Sequence, residues 1–292
     1  MSMTAADLVA LFDLEPVGRD SYVGHSPPNS WKRVFGGQVI AQALIAAQRT
    51  VEGRAPHSLH AYFILGGDPG DPIVFEVERI RDGRSFTTRR VVARQRGEVI
   101  FVMSASFQVE EEGLQHELPM PDAPDPEEVA DPGQLAALAS EAVQQHVQLF
   151  VDRIQPIEIR PLDPTRYQPL RAGEPREPRQ SIWIRIAGRL PDQPAIHRAA
   201  LAYLSDMTLL DTVLVAHGYS IAGGKFQLAS LDHALWLHRP FRADEWLLYV
   251  QESPNACGAR GLTRGLLYSR AGALVASVAQ EGLLRRRRPA AV

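Results

Sequence analysis

The chain has 292 residues, 45% of them apolar and 22% charged, an ordinary globular composition with length enough for two core-bearing units. A formal net charge of −3 excludes any general attraction to nucleic acid or an anionic membrane surface. The single cysteine, Cys257, excludes an intramolecular disulfide and a cysteine-rich metal site, and no apolar run approaches the length of a membrane-spanning helix.

The N-terminal stretch Met1-Ser2-Met3-Thr4-Ala5-Ala6-Asp7 has no basic region leading into an apolar core, so no signal peptide is read and a cytoplasmic location is expected. Ala5 to Phe12 reads as a short helix capped by Thr4 or Ser2, and Leu14 to His25 as an extended segment before the turn Ser26-Pro27-Pro28-Asn29. From Gly37 to Val51, the residues Val39, Ile40, Ala43, Leu44 and Ala47 recur at helical spacing. The alanines on that face permit close approach of other backbone, which predicts a helix buried against a sheet. After Pro56 the spacing becomes alternating, and residues 58–65, 72–81, 85–96 and 98–108 read as strands joined by short Gly-containing turns, hence as antiparallel neighbours.

Between Val109 and Gln155 the alternation stops and acidic residues appear with Pro119, Pro121, Pro124, Pro126 and Pro132. This is read as a linker, with an amphipathic helical pattern over 134–151. A strand is then expected at 157–160, another at 181–189, a helix over about 206–217, and strands near 230–238, 245–253, 258–270 and 273–284. Each half reads strand, helix, four strands. The predicted division is an N-terminal unit 1–110, a linker 111–178 and a C-terminal unit 179–292.

The two halves echo each other. Ser58-Leu59 opens a strand block closing at Phe107-Gln108, and Ser230-Leu231 opens one closing at Ala279-Gln280, both ends offset by 172 residues (58 to 230, 108 to 280). Aligning the small-residue turns ahead of each helical run, Phe35-Gly36-Gly37-Gln38 and Leu204-Ser205-Asp206-Met207, sets Asp206 against Gly37. A carboxylate in one copy only points to one competent site. Sheets of this kind, each laid around a helix, are expected to pair edge to edge or back to back.

Several motifs, taken with their order and spacing, carry a family likeness: Phe35-Gly36-Gly37-Gln38, Asp82-Gly83-Arg84-Ser85-Phe86, Ser104-Ala105-Ser106-Phe107-Gln108, Leu204-Ser205-Asp206, Leu231-Asp232-His233, His238-Arg239-Pro240-Phe241 and Gln280-Glu281-Gly282. Over nearly its whole length the chain resembles the acyl-CoA thioesterase II family. The resemblance implies an α+β fold, a tandem double hot dog of two antiparallel curved sheets each wrapping a central helix. It also implies hydrolysis of fatty acyl-CoA to free fatty acid and coenzyme A, with no cofactor or metal, no nucleic-acid partner, no membrane insertion and further association into a homo-oligomer. Matched motif by motif, Asp206, Ser230 and Gln280 take the roles of the residues that hold the attacking water. Some members carry Thr where this chain has Ser230, and either supplies one hydroxyl.

The chemistry suits these residue types. Thioester hydrolysis needs an oriented water, an acceptor for its proton and donors for the oxygen that becomes negative. Asp206 can accept the proton, while Ser230 and the Gln280 amide fix the water. A thiol leaves readily, its reference pKa being about 8.5, so a histidine acid is dispensable. For the oxyanion, the candidates are backbone amides at expected helix starts, near Gly36, Gly37 and Gln38 or at Asp206-Met207.

Blander readings stand beside these. Asp206 at a helix start reads equally as an N-cap, and Ser58 with Gln108 shows that the repeat accepts the Ser/Gln pair without the acid. A serine nucleophile at Ser230 with His233 and Asp232 is disfavoured, because strand alternation turns residue 233 away from residue 230 and no Gly-x-Ser-x-Gly elbow is present. A hot-dog enoyl-CoA hydratase would need Asp and His five apart, whereas Asp211 follows Asp206, Ala216 follows Asp211 and His217 is off by one. A non-catalytic acyl-CoA-binding protein is the remaining alternative. His57, His60 and His238 read as half-buried structural residues and Cys257 as inert packing. The run Arg285-Arg286-Arg287-Arg288 reads as a solvated tail ahead of Ala290-Ala291-Val292, which lacks a peroxisomal address.

Overall fold

The computed structural model describes residues 3–27, 32–136, 148, 150–152, 154–163, 176–219 and 225–287. Helix α1 (Ala5–Phe12) starts at Thr4, whose hydroxyl accepts from the Asp7 amide while the Asp7 carboxylate accepts from the Thr4 amide, a reciprocal cap. Leu8 and Phe12 anchor it in the core. The segment expected to be extended over 14–25 is a hairpin of β1 (Glu15–Gly18) and β2 (Ser21–Gly24), turning at Asp20 with φ +57°. Helix α2 (Gly36–Gln48) follows, then β3 (Ala55–Phe63), β4 (Ile73–Asp82), β5 (Phe86–Gln95) and β6 (Glu98–Gln108), close to the predicted strands.

Part of the linker is described. Its residues 109–131 cross the second half of the chain, with Met120, Ala123 and Val129 packed on Trp183, Trp246 and Tyr268. Pro124 O accepts from the Trp183 indole at 2.9 Å. A 3-10 turn (Pro126–Glu128) and the short α3 (Pro132–Ala136) follow, and most of the remaining helix expected there, 137–147, lies outside the described residues.

The second half holds β7 (Ile157–Pro161), β8 (Arg179–Ile186), α4 (Pro194–Ser205), α5 (Leu209–Val215), β9 (Phe226–Ser230), β10 (Asp232–Leu237), β11 (Leu247–Cys257), β12 (Arg260–Ser269) and β13 (Leu274–Arg286). The helix expected over about 206–217 is found as the shorter α5, but Asp206 does not open it. The long helix is α4, begun by Pro194 at its first turn, and Asp206 is the residue that caps its C-terminal end. The unbroken Ala-rich run behind Pro194 was the signal for it.

Among the described residues the strands form one antiparallel sheet of order β1-β2-β4-β5-β6-β3-β10-β13-β12-β11-β8-β7, with β9 also paired to β13. The halves meet edge to edge through β3 and β10, from Asp232 opposite Tyr62 to Trp236 opposite Ser58. That pairing satisfies two edges that would otherwise be open. The register also corrects the repeat alignment. Ser58 lies opposite Ser106, two residues before Gln108, whereas Ser230 lies opposite Gly282, two residues after Gln280. The two Ser/Gln pairs are therefore not equivalent positions, and Gln108 instead donates to Glu111 at the surface.

Helices α2 and α4 pack together, the N-terminal end of α2 meeting the C-terminal end of α4, where Phe35 and Tyr203 stack edge-on at 5.0 Å. Both helices carry buried small residues, Ala43, Ala46 and Ala47 on α2 and Ala199, Ala200 and Ala202 on α4, which permit close approach. The far end of α2 is held by Arg89, a core guanidinium that donates to the Thr50 hydroxyl at 2.9 Å and pairs with Asp82 at 2.6 Å. Of the other histidines, His57 is half-buried, while His60 and His238 are exposed, and Cys257 is exposed rather than packed. Arg285 to Arg287 are exposed, and Arg288 with the residues after it lies outside the described residues.

Candidate active site

The site lies where the N-terminal end of α2 passes the C-terminal end of α4. Helix α2 receives no side-chain cap from its own N-cap residue Phe35. Its first turn is capped from across the molecule, the Gly37 amide donating to Asp206 Oδ2 at 2.9 Å. So Asp206 does cap a helix, though not the one expected, and its carboxylate sits at the positive end of the α2 dipole. Gly37 is thus the partner of Asp206 in space, not its counterpart in the repeat.

The second oxygen is engaged from the sheet. Ser230 Oγ donates to Asp206 Oδ1 at 3.3 Å, and Gln280 Nε2 donates to Ser230 Oγ at 3.0 Å. The three predicted side chains therefore converge, Gln280 in the core, Ser230 and Asp206 half-buried. Asp206 is deeply surrounded by protein yet keeps a solvent-reachable side, and each carboxylate oxygen can accept a second hydrogen bond. Burial pushes the Asp206 carboxyl up to about 6, against the opposing hydrogen bonds of Gln280, Ser230 and Gly37. A carboxylate of that basicity accepts a water proton more readily than an ordinary aspartate while remaining ionised near neutrality.

His233 faces the opposite way from that expected of plain strand alternation. The strand breaks at Leu231, whose amide bonds Glu281 O, and the register against β13 slips by one residue between Ser230 opposite Gly282 and Ala234 opposite Ala279. Such a bulge flips the facing of all that follows. His233 thus lies on the same side as Ser230 and Gln280, and its Nδ1 meets Gln280 Oε1. It does not touch Ser230: its other nitrogen is on Ser205 Oγ at 2.9 Å. The bulge has no signature in the residues themselves.

Of the amides expected to serve the oxyanion, three are committed elsewhere. Gly37 N is on Asp206, Gln38 N donates to Phe35 O at 3.1 Å and Met207 N to Leu204 O at 2.9 Å. Gly36 occupies the first position of α2, and a Cβ there would stand 2.6 Å from Asp206 Oδ2 and 3.0 Å from the Phe63 ring. The segment after Asp206 is held hard. Thr208 has φ +67°, a strained conformation for a β-branched residue, and is gripped by Gln251 Nε2 on its hydroxyl at 2.7 Å and Gln180 Nε2 on its carbonyl at 2.9 Å. The two surface depressions around Arg242 and Trp246 are lined by none of the site residues.

A family model described as acyl-CoA thioesterase matches residues 151–283, and one described as acyl-CoA thioesterase N-terminal domain matches residues 26–108. The chain is 40% identical over 287 residues to human acyl-coenzyme A thioesterase 8, spanning 95% of this chain and 88% of that protein. It is 36% identical over 288 residues to acyl-CoA thioesterase 2 of Haemophilus influenzae, spanning 98% and 99%. The chain belongs to the acyl-CoA thioesterase II family. A crystal structure of an acyl-CoA thioesterase II from Mycobacterium marinum is 42% identical and superposes with a TM-score of 0.78 over 96% of this chain and 98% of that one. A hot-dog protein of unknown function from Alicyclobacillus acidocaldarius, 21% identical, superposes at 0.75 over 96% and 98%, a likeness of fold alone. The family's hot-dog type of fold thus accounts for the large antiparallel sheet with few helices. Among the described residues no helix is long and apolar enough to cross a membrane.

Proposed function

We propose that the chain is an acyl-CoA hydrolase that cleaves fatty acyl-CoA by direct attack of a water held by Asp206, Ser230 and Gln280. The observation that carries the reading is the convergence of the Asp206 carboxylate and the Gln280 amide on one hydroxyl, Ser230 Oγ, within 3.3 Å. Asp206 takes the water proton as the oxygen attacks the thioester carbon, the carbonyl becomes an oxyanion, and its collapse expels the coenzyme A thiolate. Of the candidate oxyanion donors we retain the Gly36 amide, at the open first turn of α2. The fold reading is a tandem double hot dog divided at 110 and 178, with α2 against β3 to β6 and α4 with α5 against β8 and β10 to β12, supported by those helix–sheet contacts. Composition supports a cytoplasmic location; assembly into a homo-oligomer belongs to the same reading.

Release of free thiol from acyl-CoAs of increasing chain length is the test, with an enoyl-CoA included. Thiol release from the saturated series is expected; hydration of the enoyl-CoA without thiol release would instead favour the hydratase. The acid limb of kcat/KM is expected to rise about tenfold per pH unit and flatten above pH about 6, because Asp206, pushed up to about 6, must be ionised to act. A rate independent of pH between 4.5 and 6 would remove Asp206 from the role. Ser230→Ala is expected to lower kcat about tenfold, one hydrogen bond to a charged group being lost, while Ser230→Thr keeps the hydroxyl and stays near wild type. Equal rates for the two variants would deny the hydroxyl a part.

A further inference from the structure

Behind the three side chains lies a buried group that the hydrolysis as read above leaves unused. His233 is in the core, facing Gln280 from the neighbouring strand, with Nδ1 on Gln280 Oε1 and Nε2 2.9 Å from the equally buried Ser205 Oγ. Resting on the hydrolytic reading, we propose that His233 is a positioning residue that orients the Gln280 amide and so fixes the direction of the hydrogen-bond chain that ends on Asp206.

With Gln280 Nε2 turned to Ser230, proton counting leaves one arrangement. An amide has an acceptor at one end and a donor at the other, and a hydroxyl has a single hydrogen to give. Gln280 Nε2 donates to Ser230 Oγ, which leaves the Ser230 hydrogen for Asp206 Oδ1. In that orientation Gln280 Oε1 faces the imidazole and has no hydrogen to offer, so Nδ1 must carry the ring proton. Burial holds the ring neutral, its pKa depressed to about 4. Nε2 is then a bare acceptor facing Ser205 Oγ at 2.9 Å, whose one hydrogen is divided between the ring and Ala202 O. From the ring onward every donor points one way: His233 to Gln280, Gln280 to Ser230, Ser230 to Asp206.

The opposite sense is also available to these groups. Turned over, the Gln280 amide would present its oxygen to Ser230 and draw the hydroxyl hydrogen off the carboxylate. The ring would then accept at Nδ1 and donate from Nε2 to Ser205, whose hydrogen has an acceptor waiting at Ala202 O, 2.9 Å away. The first sense leaves the base with its donor; the other strips it. The titratable groups around the ring are Asp206 beyond Ser230, Tyr249, whose hydroxyl donates to Ser205 O at 2.8 Å, and Asp232 on its own strand, which accepts from Glu281 N at 2.7 Å.

His233→Leu is expected to lower kcat about 10- to 100-fold with KM little changed, and to shift the acid limb of kcat/KM upward from pH about 6 as the carboxylate loses its ordered donor. His233→Asn, whose side-chain nitrogen stands near the place of Nδ1, is expected to recover most of that kcat and the wild-type acid limb. Nitrogen NMR of the imidazole in the unaltered protein is expected to show the proton on Nδ1. Ser205→Ala, should His233→Leu not fold, is expected to mix the two tautomers and lower kcat severalfold. The proposal is overturned by a proton on Nε2 in the unaltered protein, by equal kcat per folded molecule for the Leu and Asn variants with an unmoved acid limb, or by a Ser205→Ala protein with unchanged tautomer and kcat. Because the tautomer is read without substrate, a chain that hydrolysed no thioester would refute the function proposed above and leave this measurement intact.

Discussion

Asp206→Asn is expected to lower turnover about 10²- to 10⁴-fold, the contribution of a positioned general base, and to leave a protein at least as stable as wild type at neutral pH. The two halves of that expectation separate chemistry from capping. Asparagine keeps a carbonyl oxygen able to accept from the Gly37 amide or from Ser230, so the junction of α2 and α4 survives. What it lacks is the lone pair basic enough to take a water proton. The stability argument comes from the raised pKa. Folding lifts the carboxyl from 3.8 to about 6, so the native state holds the proton more tightly than the unfolded chain, and this contribution is complete below 3.8 and lost as the pH rises through 6. At pH 7 the ionised side chain is therefore worse off in the fold than in water, by about 3 kcal/mol for roughly two pKa units. The neutral amide escapes that cost. Thiol release together with thermal or urea unfolding at pH 7 tests both halves; a normal rate, or a variant markedly less stable than wild type, would contradict the assignment of Asp206 as a buried, ionised base.

Gly37→Ala is expected to damage fold and rate together. A Cβ at this position would lie 2.4 Å from the Tyr203 carbonyl oxygen and 2.6 Å from the Phe35 ring. The ring can turn, but the carbonyl belongs to the last turn of α4 and cannot. Relief requires α2 and α4 to separate at the point where the Gly37 amide reaches Asp206. Overpacking of this kind costs about 1–3 kcal/mol, and a weakened 2.9 Å bond frees the carboxylate from one of its fixed donors, so a further loss of about tenfold in kcat is expected. Gly113→Ala is the control, since a Cβ there would meet nothing within 4 Å, and its unfolding midpoint and kcat should match wild type. A Gly37→Ala protein indistinguishable from that control would mean that the helix junction is not close-packed as described.

The pH dependence of stability should be shallow on the acid side, although the site holds two strongly shifted groups. Asp206 gains stability for the fold as the pH falls from 6 towards 3.8, while His233, depressed from 6.5 to about 4, loses it over nearly the same window because the unfolded chain protonates first. The contributions are of similar size and opposite sign. Asp206→Asn removes one side of the balance, so that variant should become more acid-sensitive than wild type between pH 6.5 and 4.

Asp206, Ser230 and Gln280 were recognised through motifs that lie far apart in the chain, and alternation with short Gly-containing turns located β4, β5, β6, β11, β12 and β13 to within a few residues. Local pattern suffices for such elements because a half-buried strand must alternate and a tight turn needs glycine. Reading Asp206 as the first residue of a helix failed for an equally local reason: the small residues at 204–206 fit the end of a helix as well as the beginning of one, and Pro194 is the better marker of a start. The repeat alignment failed because matching residue types at equal offsets carry no information on which partner each strand residue faces.

Residue types and their spacing carried the strand-rich architecture with its duplicated plan, and the family resemblance of the motifs marked Asp206, Ser230 and Gln280 as the candidate acid, hydroxyl and amide. Only the folded chain decided that Asp206 hangs from the end of α4 to cap α2, that a one-residue bulge at Leu231 turns His233 toward Gln280, and that Gly37 is a contact of Asp206. The first group depends on periodicity and side-chain chemistry, which are properties of short segments. The second depends on the register and docking of segments distant in sequence, which are settled by packing of the whole core.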